Sequence, residues 1–329
     1  MSPESRTESM PAARHRRASP SRIPLTIAGV LVVVAALIAL IVQFDGSTRS
    51  GARTDPTAPS SHPKSTYAPA TVPPRSSGTT IATLAASPFG AAVAAYAAER
   101  AGTITAAVEN QVTGQTFYYN PGVVQDEASV VKVDIMATLL AQQLHGAIPA
   151  TPGQQSLLST MIEESDNDSA TALWDQVGGP TAIASFDRKA GMTSTTPSAC
   201  VICANFPWPG WGLTTTSASD QVTLLRQFVL PNLLLTASQR RYALGLMEKV
   251  APSESWGVSG GVPPGVTIAL KNGWLPLTGE TDWQVNSVGW VNGLGRDYIV
   301  AILTTGSPTE QYGIDTINYL SQSLWRQLG

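Results

Sequence analysis

Ser129-Val130-Val131-Lys132, Ser165-Asp166-Asn167 and Lys271-Asn272-Gly273 follow one another in this order along a chain of 329 residues. An S-x-x-K string is expected by composition about once in 300 residues, and a Ser-Asp-Asn tripeptide in about 5% of such chains. All three together, ordered and spaced, carry much more weight than any one of them. Side chains at i and i+3 share a helix face, so a helix opening at Ser129 brings the Lys132 amine to the Ser129 hydroxyl. An alcohol is a poor nucleophile without a base in hydrogen-bond reach. A lysine whose pKa is lowered by burial or by neighbouring cations can be that base, and a helix N-terminus favours developing negative charge. Taken singly, the strings have plainer readings: Ser129 as a helix cap with Lys132 in solvent, and Ser-Asp-Asn as a capping turn.

Together the three strings resemble the penicillin-recognising serine enzymes, the class A β-lactamases and the D,D-peptidases that bind penicillin. The resemblance covers roughly residues 83–329. It implies an α+β fold with a five-stranded antiparallel sheet, flanking terminal helices and an inserted α lobe across the cleft. It implies Ser129 as nucleophile, Lys132 as its base and Ser165 as proton relay to the leaving group. Asn167 would hold the substrate amide and orient the lysine, while Asp166 supports the loop. Lys271 would attract a substrate carboxylate, and Gly273 would allow close backbone approach. Asn272 stands where the family usually carries Thr or Ser; its amide can donate a hydrogen bond, with different reach. The implied oxyanion hole is the backbone N–H of Ser129 and that of Trp274. The implied ligands are a β-lactam or a D-Ala-D-Ala-like peptide, with peptidoglycan as a larger partner.

Two departures from the family pattern stand out. Ser165 to Lys271 is 106 positions, close to class A spacing, but Ser129 to Ser165 is only 36. The shortening removes part of the α lobe, so a more open cleft is expected. Counting on by the family spacing, the glutamate that activates the deacylating water falls on Val201, with a matching Asn205 four residues later. No Asp or Glu lies between Arg188 and Thr216. The expected phenotype is acylation at Ser129 followed by slow release.

Outward from these strings, the chain divides into four parts. Residues 1–22 form a basic tail with Arg14, Arg16, Arg17 and Arg22, and 23–44 is apolar and uncharged. Such a run is long enough for a ~30 Å hydrocarbon core, and the preceding arginines keep the N-terminus cytoplasmic. An uncleaved single-pass anchor is the favoured reading over a cleaved signal peptide, whose apolar core is shorter and ends in small residues. Residues 45–82, rich in Pro, Ser, Thr and Gly, read as a disordered tether, and 83–329 is the globular domain, placed outside the cytoplasm. Within it, helices are expected over 85–100, from 129, and over 154–164, 169–177, 180–190, 217–228 (capped by Ser217), 237–250 and from 308. Strands are expected over 103–108, 115–119, 266–273 (an edge strand), 283–291 and 298–304.

A net charge of −3 with 13% charged residues offers no basic face for nucleic acid. His15, His62 and His145 are scattered, so neither a zinc site nor any cofactor is expected. Cys200 and Cys203 read as a local disulfide or two buried thiols; a redox C-x-x-C would need a βαβ setting that is not visible here. Trp208, Trp211, Trp256 and Trp274 are candidates for a cleft lining, with core packing the plainer role. Three functions remain open: a β-lactamase, a D,D-peptidase-type cell-wall hydrolase, and a binding module for penicillin or peptidoglycan that does not turn over.

Overall fold

The computed structural model describes residues 86–143, 151–203, 206, 208–277 and 281–328. The expected tail, apolar segment and linker lie outside these residues, as does Asn205. Among the described residues no helix is long and apolar enough to cross a membrane.

Five strands, β1 (Thr103–Asn110), β2 (Gln115–Tyr119), β5 (Thr267–Pro276), β6 (Trp283–Gly293) and β7 (Arg296–Ser307), form one sheet in the order β2-β1-β7-β6-β5. Every neighbouring pair is antiparallel, and β5 is an edge, as its sequence pattern suggested. The central strand β7 is buried on both faces through period-two alternation. Ile299, Ala301 and Leu303 pack in one cluster with the helical lobe, and Tyr298, Val300 and Ile302 in another. The second cluster is closed by α8 (Glu310–Gln327), whose Ile317, Leu320 and Leu324 recur at helical spacing. It also takes in Val93 of α1 (Ala91–Ala98).

The lobe comprises α2 (Lys132–Gln142), α3 (Pro152–Glu163), α4 (Asn167–Val177), α5 (Gly179–Ala190), α6 (Ala218–Val229) and α7 (Ala237–Met247). Caps set several of these ends. Ser217 accepts from the Asp220 N–H at the start of α6, and Asp166 does the same for Ser169 at the start of α4. A second, two-stranded sheet joins β3 (Val124–Asp126) to β4 (Thr215–Ser217). These strands were not expected, because three residues are too few to display a period.

The structure corrects one local reading. Ser129 does not open an α-helix; it sits in a 3-10 turn, Ala128–Val131, and α2 begins at Lys132. Ala128 holds φ +51°, a left-handed conformation that a residue with a Cβ adopts at a cost of about 1–2 kcal/mol. Two contacts hold this turn. The Asn286 amide on β6 donates to the carbonyls of Asp126 (2.8 Å) and Glu127 (3.0 Å). Gly273 on β5 lies so close that a Cβ there would sit 2.6 Å from the Ser129 nitrogen and 2.7 Å from that of Val130. The close approach served by this glycine is therefore by the protein's own backbone.

Below the turn, Glu127, Asp134, Asp187 and Asp220 are all buried. Burial and the neighbouring carboxylates push Glu127 well above the usual range. Burial raises Asp134 to about 7 and Asp187 to about 9. Carboxyls that hold protons more tightly when folded stabilise the fold at low pH, and that stability is lost as pH rises through their folded pKa values. Thermal unfolding should therefore give a lower Tm at pH 8 than at pH 5, and Asp187→Asn should flatten the slope; a Tm that climbs over this interval contradicts the reading. Gly273→Ala should destabilise by about 1–3 kcal/mol, as overpacking does, read from the urea midpoint.

Candidate active site

Three separated elements bring the expected residues together. Lys132, the first residue of α2, is fully buried. Its Nζ lies 3.0 Å from Ser129 Oγ, 3.1 Å from Ser165 Oγ, 2.5 Å from the Ser165 carbonyl and 2.7 Å from Asn167 Oδ1. The last two atoms only accept, so they take both hydrogens of a neutral amine and leave its lone pair for a hydroxyl proton. Burial, and then the charge of Lys271, lower the Lys132 pKa to about 6.

Ser165 reaches this position through its backbone. It follows the end of α3 with φ +57°, and the Thr160 carbonyl accepts from both Glu164 and Asp166 on either side of it. The resulting left-handed residue turns both its carbonyl and its hydroxyl to Lys132. The Ser165 hydroxyl also receives a bond from Lys271 Nζ at 2.9 Å, and Lys271 donates to the Asn272 carbonyl at 3.0 Å. Lys271 is buried too, which lowers its pKa to about 8. A continuous chain thus runs Ser129, Lys132, Ser165, Lys271.

Asn272 is placed elsewhere. Alternation along β5 puts its side chain on the opposite face from Lys271. Its Nδ2 donates to the carbonyls of Glu254 (2.7 Å) and Trp256 (3.0 Å). Both amide hydrogens are committed, so the expected donation to a substrate carboxylate is replaced by a clasp on the 254–256 turn. The parity was visible in the sequence; the partners were not.

The cavity over Ser129 measures about 430 Å3 and is lined by Ser165, Asn167, Trp274 and the aromatics Phe206, Trp208, Trp211 and Trp283, among others. Three of the four tryptophans singled out in the sequence therefore line it. Trp211 also packs in the core, while the ring of Trp256 lies 6.0 Å from that of Trp274. Glu164 and Glu254 also line the cavity. Glu254 was missed, since nothing in Pro252-Ser-Glu254 distinguishes it from a surface turn. It is 8% exposed, and its Oε2 has no hydrogen-bond partner.

Val201 is 76% exposed, between Cys200 and Cys203, which are disulfide-bonded. It offers no proton acceptor. Among the described residues no cluster of His, Cys, Asp or Glu has the form of a metal site.

Comparison with known proteins places this geometry. A family model described as the beta-lactamase enzyme family matches residues 149–328. The chain is 30% identical over 218 residues to proteins named "Putative lipoprotein LppW" from Mycobacterium tuberculosis and Mycobacterium bovis. That match spans 63% of this chain and 64% of those relatives, so less than two thirds of their length. Among solved structures, the TLA-1 extended-spectrum beta-lactamase superposes with a TM-score of 0.62 at 18% identity, covering 72% of this chain and 96% of that one. The class A beta-lactamase of Mycobacterium abscessus gives 0.60 at 22% identity, covering 71% and 97%. These structures share the fold, and the match over residues 149–328 shows that the chain belongs to the beta-lactamase enzyme family.

Proposed function

We propose that this protein is a serine acyl-transfer hydrolase in which Ser129 is acylated by a β-lactam or a cell-wall-peptide-like substrate and the acyl-enzyme is released slowly. The observation that carries this reading is the unbroken chain of contacts from Ser129 through Lys132 and Ser165 to Lys271. Neutral Lys132 takes the Ser129 proton as Oγ bonds to the substrate carbonyl carbon. The scissile C–N bond then breaks, and the proton passes by way of Ser165 to the leaving nitrogen. Lys271 keeps the Ser165 hydroxyl oriented and contributes positive charge. Asn167 holds Lys132 and the substrate amide. The backbone N–H groups of Ser129 and Trp274 form the oxyanion hole.

Slow release follows from the exposed Val201 where the family pattern has its water-activating glutamate. The order of basic tail, apolar segment and Pro-rich tether, together with relatives named as lipoproteins, supports a catalytic domain anchored outside the cytoplasm. A D,D-peptidase and a non-catalytic binding module are the rival outcomes.

An intact-mass time course on residues 83–329 with a penicillin tests the reading. The native protein should gain a lasting adduct and Ser129→Ala none. Fast penicillin consumption without an adduct would overturn the slow-release step. No adduct and no consumption would overturn acylation by penicillin. The adduct-forming rate should trace a bell in pH. It should rise as Lys132 deprotonates through about 6 and fall as Lys271 loses its charge through about 8. Lys132→Gln should cut the rate by a factor of about 100–10,000, the usual worth of a general base.

A further inference from the structure

We propose that Glu254 makes the Lys271 end of the cleft a subsite for a leaving group that presents an N–H donor, an ammonium above all, rather than a carboxylate. This deepens the acylation reading of Ser129 and rests on it.

Among the described residues lining the cavity, the charged side chains are both acids, Glu164 and Glu254. Glu254 is more than nine-tenths buried, and its Oε2 is an acceptor without a donor. A buried carboxylate oxygen left unpaired carries an uncompensated desolvation cost, and a ligand that donates to it offsets that cost. A ligand carboxylate placed there would instead meet a like charge in a poorly solvated site.

The edge strand reinforces this. Asn272 has turned its amide away to clasp the carbonyls of Glu254 and Trp256, so its side chain offers no donor to an incoming carboxylate. The same clasp holds the turn that carries Glu254 against β5. Loss of the usual hydroxyl residue and gain of the acid are thus two ends of one contact. The remaining cation, Lys271, is already bonded to Ser165 Oγ and the Asn272 carbonyl, and Glu254 acts as its counter-charge, favouring the ammonium while offsetting the positive field it would present to a ligand. Glu310, in the first turn of α8, interacts with Glu254 as a second negative charge. Lys132, with its pKa near 6, contributes little positive charge at neutral pH.

Three thioesters of benzoylglycine test the proposal, with mercaptoacetate, mercaptoacetamide and 2-(dimethylamino)ethanethiol as anionic, neutral and cationic leaving groups; the tertiary ammonium keeps one N–H donor and cannot be lost to a stable amide by S-to-N acyl transfer. In each, Ser129 Oγ bonds to the carbonyl carbon and the C–S bond breaks. The Ser129 proton leaves with the thiolate by way of Lys132 and Ser165. All three give the same acyl adduct, so one mass reports every rate, and each rate is divided by that thioester's spontaneous hydrolysis rate. At pH 7 the native protein should acylate from the dimethylaminoethanethiol ester at least tenfold faster than from the mercaptoacetate ester, with the amide between. Glu254→Gln should bring that ratio close to one.

A native preference for the mercaptoacetate ester, or a ratio unchanged in Glu254→Gln, overturns the proposal while leaving acylation of Ser129 intact. If no thioester and no penicillin marks the native protein, the acylation reading falls and this one with it. The native rank order alone decides the matter should the variant not fold.

Discussion

Two buried lysines converge on one serine hydroxyl, and most of the surrounding structure answers to that constraint. Moving an ammonium out of water is costly unless it is paired or surrenders its proton. Lys132 takes the second course: its pKa is near 6, and carbonyl and amide oxygens satisfy the remaining hydrogens. Lys271 keeps more of its charge, with Glu254 as the nearby opposing group. The two cannot both be fully charged at this separation without penalty, so each biases the other. Because Lys132 comes from α2, Ser165 from the end of α3, and Lys271 from the sheet edge, the same bonds that order the protons also hold the lobe to the sheet.

Ser129 is set by backbone more than by its own side chain. Ala128 and Ser165 both carry left-handed conformations with a Cβ present, and such strain persists only where the surroundings over-determine it. Here Asn286 grips the carbonyls before Ser129, Gly273 abuts the nitrogen of Ser129, and the α3 terminus wraps around Ser165. Beneath them lie the buried carboxyls of Glu127, Asp134 and Asp187, whose raised pKa values make the seat of the turn sensitive to alkali. The geometry of the candidate site and folding stability therefore rest on overlapping residues.

Much of this architecture was legible in the sequence. β5 shows alternation along 266–270 and β7 an unbroken apolar run along 298–303, and α4, α5 and α6 begin within about two residues of their expected starts, where Asp166, Gly178 and Ser217 stand at those ends. The S-x-x-K spacing led to a Ser–Lys contact even though the local helix is 3-10 rather than α. What the sequence hid was set by tertiary contacts. β3 and β4 pair across a long stretch of chain, and neither three-residue strand has a pattern of its own. Glu254 is buried in the cleft only because the Asn272 amide draws its turn against the strand. Asn286 looks like one more polar residue in β6 until its partners at 126 and 127 are seen.

The disulfide between Cys200 and Cys203 closes a ring of only three residues' separation, and so short a loop removes little entropy from the unfolded chain. Its effect is local. The Cys200 carbonyl accepts from the Gly210 N–H at 2.7 Å, and any side chain on Gly210 would strike both cysteines. Gly210 in turn leads directly into Trp211, which stacks edge-on with Phe206 in the cleft wall. The bond therefore stiffens the turn on which the backbone entering Trp211 is hung, so a cross-link that adds little to global stability bears instead on the placement of one aromatic face of the cleft.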